Sequence, residues 1–506
     1  MTDALQQIWY GLTLAALPQN LIYALIGSTL GTLVGVLPGL GPVTTIAILL
    51  PVTYQVGDSL GAMIMLASIY YGAMYGGSTT SILLKVPGEA ASVITCIDGY
   101  EMARQGRAGP ALAIAAIGSF IAGTASIFAL ALVGPAFANF ALSFGPPEYF
   151  ALAVFGLALS ATLSGGSPIR GVAMVLLGVL LGTIGLDTVT GVDRFTFGSL
   201  ELADGIELVP LLMGLFGLGE ILYNLEQRGG FQLLTAKIGR ILPSRKDWAE
   251  SWGAICRGSV FGFFIGLIPG GGAILGSLLS YSVEKKLSKE PEKFGKGAIA
   301  GVAGPESANN SAASASFIPL LTLGLPGNAV TAVLFAGLLI QNITPGPLMM
   351  TKHPDMFWGI IASMYFGNIM LLILNLPMVG LWVQLLRVPF WILAPAVLVI
   401  SVLGVYSLRN SWFDVNLLVI SGLAGYLFRK ASLDAGPLVM AFILANILDT
   451  SLRQSLLMGD GNIAIMVSRP ISGVILAISA IVVVSQFYSH FRASKRKRAA
   501  EAVMTS

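Results

Sequence analysis

The chain has 506 residues, 55% hydrophobic and only 10% charged, with a net charge of +3 and a mean hydropathy of +0.82. A soluble domain carries about 25% charged residues, whereas here apolar windows of roughly 18 residues or more, each able to cross about 30 Å of hydrocarbon, recur from end to end. This excludes a soluble protein and makes the basic residues markers of loop topology rather than of nucleic-acid binding.

Cys96 and Cys256 lack metal-ligand spacing, and His353 and His490 lie far apart. Neither a disulfide, a zinc framework nor a His-based catalytic base is expected, and no cofactor is implied. The opening "MTDALQQIWYGLTLAALPQN" has no basic start and no clear small-residue cleavage site, so no cleaved signal peptide is expected.

The first apolar stretch contains "VGVLPGLGPV" (Val34 to Val43), with two prolines and three glycines where a spanning helix should be unbroken. Its flanks "LPQN" and "TYQVGDS" contain no Lys or Arg. The spacing predicts a helical hairpin over about 20–54, with both ends outside. A broken helix follows over about 60–97, carrying "GGSTTS" (Gly76 to Ser81) and then the pair Pro87-Gly88.

Arg104 and Arg107 belong inside, and the acidic "LDTVTGVDRFTFGSLELADGIE" outside. Helices near 109–136, 148–163, 168–186 and 206–224 connect them. The segment 228–249 contains "RGGFQLLTAKIGRILPSRKDW", read as a cytoplasmic amphipathic helix with Leu234, Ile238 and Ile241 on one stripe. A second hairpin, about 252–284 and interrupted by "IPGGGA", has both ends inside, because "EKKLSKEPEKFGK" carries five lysines.

A second broken helix spans about 297–345, with "PESANNSAAS" (Pro305 to Ser314) before Pro326-Gly327. Helices near 356–386, 390–407, 411–428, 434–456 and 465–490 complete the chain. They place Arg387, Arg429, Lys430 and the basic tail 491–506 inside. Asp449 and Arg453 have the spacing of a structural i,i+4 pair.

"VGVLPGLGPVTT" at Val34 aligns with "IGLIPGGGAILG" at Ile265, an offset of 231, and the two Pro-Gly pairs differ by 239. The eight extra residues fall in the Lys-rich loop. The expected organisation is therefore two inverted-topology repeats, residues 1–227 and 250–490, each with a hairpin, a broken helix and scaffold helices running to 224 and to 490. Matched broken segments in inverted repeats point to a secondary transporter's site. The alternative is that Gly and Pro serve close helix packing.

A broken helix leaves N–H and C=O groups that hydrocarbon cannot satisfy. Helix starts after Gly39-Leu40-Gly41 and Gly270-Gly271-Gly272 would offer N–H groups to an anion. Ser78, Thr79, Thr80, Asn309, Asn310 and Ser311 suit carboxylate recognition and alkali-ion coordination, or alternatively interhelical hydrogen bonds. Lys85 could attract an anion, while Glu89 or Glu306 could take a cation or proton. A Lys85–Glu89 ion pair holding the break is the plain alternative. Breaks also free carbonyls for a coupling ion, around Pro38, Gly39, Pro269, Asn309, Thr322, Pro326 and Gly327.

The runs "GVLPGLGPVTTIAILLP", "YGGSTTSILLKVPGEAASVITCIDGYEMARQGRAGPALAIAAIGS", "GLIPGGGAILGSLLSY" and "GVAGPESANNSAASASFIPLLTLGLPG" resemble the large membrane subunit of tripartite tricarboxylate transporters, the TctA family. The resemblance covers nearly the whole chain. It implies a bacterial inner-membrane importer of carboxylates driven by Na⁺ or H⁺, working with a small four-helix membrane subunit and a periplasmic solute-binding protein. That family's pattern carries Asn where this chain has Lys85, a change expected to retune substrate choice. No GxxxxGK[ST] phosphate loop is present, in keeping with a transporter lacking its own ATPase. The rival classes are an ion channel built from Gly-rich re-entrant hairpins, a membrane-embedded enzyme, and a scaffold. Single-channel currents, catalytic turnover, and indifference to any ligand would mark them respectively.

Overall fold

A computed structural model describes residues 2–37, 41–54, 56–163, 167–187, 189–226, 241–268, 272–385 and 390–505. Nearly every element is helical; the exception is a two-stranded antiparallel ladder pairing Gly185 with Arg194 and Leu186 with Asp193. Among the described residues, six helices are long and apolar enough to cross a membrane. The chain forms two compact units, residues 1–142 with 208–427, and 143–207 with 428–506.

The first unit opens with α1 (Thr2–Ala15), α2 (Pro18–Val36), α3 (Pro42–Tyr54), α4 (Ser59–Leu84), α5 (Thr95–Arg104) and α6 (Ala108–Ala141). Pro18 stands at the first turn of α2, where a missing N–H costs nothing. Leu37 turns extended (φ −84°, ψ 110°) ahead of Pro38, as a residue before proline does. The Asp58 carboxylate caps α4 by accepting from Leu60 N–H at 3.2 Å. At its far end α4 stops on Lys85, whose φ of 60° is left-handed.

The second unit contains α7 (Pro146–Leu163) and α8 (Pro168–Gly182), then, after the rest of the first unit, α19 (Gly436–Met458) and α20 (Pro470–Thr505). Between them in sequence, and within the first unit, lie α9 (Leu208–Glu226), α10 (Arg245–Gly266), α11 (Gly272–Leu287), α12 (Ala300–Ala315), α13 (Phe317–Leu323) and α14 (Ala329–Ile340). After these come α15 (Pro354–Asn375), α16 (Val379–Leu385), α17 (Phe390–Arg409) and α18 (Trp412–Lys430). α9 carries a π-helical stretch, Met213–Leu218. Most expected helices appear within a few residues of their sequence-based limits; the expected 356–386 helix is divided into α15 and α16, and α20 starts at Pro470 and runs on to Thr505, through the expected tail 491–506. Of the expected connector 228–249, residues 228–240 lie outside the described residues.

Within the first unit, α2 lies along α4 and α10 lies along α12. Both contacts run on glycine. A Cβ on Gly27, Gly31 or Gly35 would strike the carbonyl oxygens of Met65, Ile69 and Ala73. A Cβ on Gly258, Gly262 or Gly266 would strike those of Gly304, Ala308 and Ala312. The glycines are related by an offset of 231 and the carbonyls by 239, the same offsets that the sequence motifs have. Four-residue spacing of small residues lets two backbones touch along a whole face.

The same offset of 239 links the breaks. α13 ends on Gly324 (φ 69°) as α4 ends on Lys85. Past each break sits a capping box. Glu89 accepts from Ala91 N–H and donates its own N–H to Ser92 Oγ. Asn328 likewise accepts from Thr331 N–H and donates its N–H to Thr331 Oγ1. These side chains supply partners to backbone groups that the interruption of the helix would leave bare.

In the second unit the Asp449–Arg453 pair is present at 2.9 Å, and it is part of a larger network. Asp187 also binds Arg194 and Arg453, and Arg194 binds Asp449. Thus the ladder-bearing loop is fastened to α19 by two arginines and two aspartates.

Candidate functional site

The polar interior of the first unit gathers on α4, on the 89–95 segment and on α12. Glu306 is fully buried, and its carboxylate accepts from Ser78 Oγ at 2.5 Å and from Thr95 Oγ1. Glu89, 7% exposed, accepts from Asn309 Nδ2 at 2.9 Å and from Ala91 N–H at 2.7 Å. Among the described residues neither glutamate has a basic partner; both are held by neutral donors. The Oδ1 of Asn309 has no hydrogen-bond partner among them. Buried carboxylates without a countercharge are costly, so two of them close to an open amide oxygen are suited to a cation or a proton.

Contacts between the halves are reciprocal. Asn328 Nδ2 donates to Tyr70 OH at 3.1 Å, and Asn309 Nδ2 donates to Glu89. Asn309 stands 239 residues after Tyr70, and Asn328 the same distance after Glu89. Each broken helix therefore reaches across to the cap of the other's break.

Asn310 donates to Ser119 Oγ at 2.6 Å and to the Glu306 carbonyl at 3.2 Å. Ser311 is paired with Ser126 Oγ and the Ser259 carbonyl. Thr80 and Thr322 bond back to carbonyls of their own helices, Gly77 and Ile318. Thr79 is buried and lines a small cavity with Ser78. Pro326 and Gly327 are buried in the second break.

Lys85 is placed differently from the rest. It is exposed, its ammonium lies 5.5 Å from the centroid of the Tyr100 ring, and it forms no ion pair with Glu89. The Lys85–Glu89 pair, the alternative reading, is not formed; the ammonium makes a cation–π contact instead. Pro38, Gly39, Leu40, Pro269, Gly270 and Gly271 lie outside the described residues. Gly41 precedes α3, with open space where a Cβ would stand. Gly272 starts α11 at φ +57°, which an L side chain rarely adopts.

The residues that the sequence did not single out are Tyr70, Tyr71, Tyr75, Thr95, Ser119, Asn328, Asn368 and Asn375, all within the same interior. Asn368 and Asn375 sit alone in the apolar helix α15, and a lone amide in such a run is the signal that could have found them.

The model of the Tripartite tricarboxylate transporter TctA family matches residues 21–440. The chain belongs to that family. It is a multi-pass membrane protein and a tricarboxylate-transporter subunit of the TctA type. The family's name makes it one component of a tripartite system.

Two proteins of Agrobacterium vitis are similar. "Uncharacterized 52.8 kDa protein in TAR-I ttuC' 3'region" is 46% identical over 497 residues, covering 98% of this chain and 99% of that protein. "Uncharacterized protein in TAR-II ttuC' 3'region" is 46% identical over 235 residues, covering 46% of this chain and 97% of the relative. No solved structure matches.

Proposed function

We propose that the protein is an ion-gradient-driven importer of di- and tricarboxylates, the large transmembrane subunit of a binding-protein-dependent transporter. It works in the bacterial inner membrane with a small four-helix membrane subunit and a periplasmic solute-binding protein, and its C-terminus is cytoplasmic. The observation that carries this reading is the pair of buried carboxylates, Glu89 and Glu306, lodged between two broken helices and bonded to neutral donors only. Such groups exchange a proton or Na⁺ with a changing environment, the requirement for coupling to a gradient.

The mechanism is alternating access in two inverted repeats. Hairpin tips and breaks hold the substrate, and a mobile unit carrying them moves in an elevator-like manner against the remaining helices. The matched offsets of 231 and 239 in the glycine contacts support the repeat, because packing that is equivalent in both halves lets outward- and inward-facing states have similar energies.

The test is uptake in proteoliposomes holding both membrane subunits and the cognate binding protein. A panel of di- and tricarboxylates is offered under separate Na⁺ and pH gradients. Gradient-dependent uptake is expected; ion currents with no carboxylate uptake would replace this reading with a channel.

A further inference from the structure

Two small cavities lie inside the first unit, and Tyr75 lines both. Each has about 10 Å³ of space for water, enough for one molecule. Ser119 and Asn375 border the first, and Tyr71, Asn310 and Asn368 the second. At the partition Tyr75 OH donates to Asn368 Oδ1 at 2.5 Å. Asn368 Nδ2 is in turn anchored to the Phe120 carbonyl and to Thr124 Oγ1, both at 2.9 Å.

Two lining groups are left over. Tyr71 OH and Asn375 Oδ1 have no hydrogen-bond partner among the described residues, although the residues are only 6% and 5% exposed. Buried polar atoms are nearly always paired, and an orphan calls for an explanation. Tyr71 and Tyr75 lie one turn apart on α4, and Asn368 and Asn375 two turns apart on α15. Each tyrosine therefore shares a helix face with its neighbour.

We infer that the two cavities are halves of one carboxylate-binding chamber, closed by the Tyr75–Asn368 hydrogen bond. This rests on the importer reading above and adds residues of α6 and α15 to its site. When that bond opens, the Tyr75 hydroxyl joins the unpaired Tyr71 hydroxyl as a donor to a substrate carboxylate, while the Asn310 and Asn368 amide N–H groups keep their protein partners. Ile127 and Met364 give the second cavity an apolar wall for the substrate's carbon chain. No charged side chain lines either cavity. The anion is thus kept apart from Glu89 and Glu306, which line neither.

Tyr71→Phe separates this from a packing role. Removing an unpaired buried hydroxyl leaves the substrate-free protein as stable as wild type or more so. In the chamber, however, it removes a hydrogen bond to an anion, and KM for carboxylate uptake is expected to rise about tenfold or more. The substrate-induced rise in melting temperature should shrink in parallel. Tyr75→Phe, a second variant, opens the partition; it should raise KM similarly while lowering the stability of the substrate-free protein.

Unchanged KM and an unchanged ligand-induced shift in both variants, with wild-type uptake intact, would overturn the chamber and leave the importer reading standing. If the wild type takes up no carboxylate from the panel, both fall.

Discussion

Asn309 and Asn310 are neighbours on α12, yet their side chains serve two different networks. Asn309 donates to the Glu89 carboxylate at 2.9 Å, and Asn310 donates to Ser119 at 2.6 Å beside an uncharged cavity. Successive residues on a helix point about 100° apart, so one dipeptide can face an acidic cluster and a neutral chamber together. The pair places a buried carboxylate and an uncharged cavity one residue apart.

The acidic side is tested by Glu89→Gln and Glu306→Gln. Each keeps the shape and most of the hydrogen bonds while removing the ionisable group. Gradient-driven uptake should fall by about a hundredfold or more, because coupling needs the charge to come and go. Carboxylate binding to the detergent-purified protein, measured calorimetrically, should change far less. Undiminished driven uptake in both variants would remove these residues from coupling.

The glycine contacts predict stability effects at equivalent places. Gly31→Leu and Gly262→Leu both push a side chain into a backbone carbonyl of the partner helix. Each is expected to cost about 1–3 kcal/mol through overpacking, read as a lower melting temperature. A pair in which only one is destabilised would break the equivalence.

Gly41 and Gly272 should part company. A Cβ at Gly41 meets nothing within 4 Å, whereas Gly272 has φ +57°. Gly41→Val should fold normally yet lose uptake, if the ligand approaches that backbone closely. Gly272→Ala should lose about 1 kcal/mol of stability from backbone strain alone. Normal uptake by Gly41→Val would take it out of the site.

Lys85 occupies a left-handed position that its counterpart fills with glycine, Gly324. Lys85→Gly should therefore relieve about 1–2 kcal/mol of backbone strain. Against that stands the loss of an exposed cation–π contact of about 0.5–1 kcal/mol. A small net gain in thermal stability is expected, accompanied by altered preference among carboxylates if the ammonium helps to select them.

In the second unit, Asp187 is held well below the usual carboxylate range. Its hydrogen bond from Thr190 contributes most, followed by the Val189 N–H and Arg194. Because the folded value is depressed, its stabilisation is fully present above about pH 4, the ordinary aspartate value. It is lost as pH falls from there through the folded value. Asp187→Asn should flatten the decline in melting temperature below about pH 4; an unchanged acid profile would show that the network contributes nothing there.

Much of the helical order was readable because long apolar runs and Pro-Gly breaks announce themselves. Pro18, the Leu37-Pro38 step and the Asp58 cap mark helix limits in the residues themselves. The i,i+4 pair Asp449–Arg453 was equally visible, whereas Asp187 and Arg194 join it from more than 250 residues away in sequence. Tyr71, Tyr75 and Asn368 were missed for a related reason. Each lies in a largely apolar stretch of its helix, and only tertiary packing brings α4 and α15 together at Tyr75 and Asn368. The left-handed φ at Lys85 and its contact with Tyr100 have no marker in the sequence.

The reciprocal contacts between the halves have a consequence for charge. Glu89 corresponds to Asn328, and Glu306, by the same offset of 239, to Ala67. The framework is built twice, but each acidic position is ionisable in one copy alone. Each ionisable position thus corresponds, at that offset, to one that carries no charge. Asn328→Glu would place a carboxylate on the cap of the second break, as Glu89 does on the first.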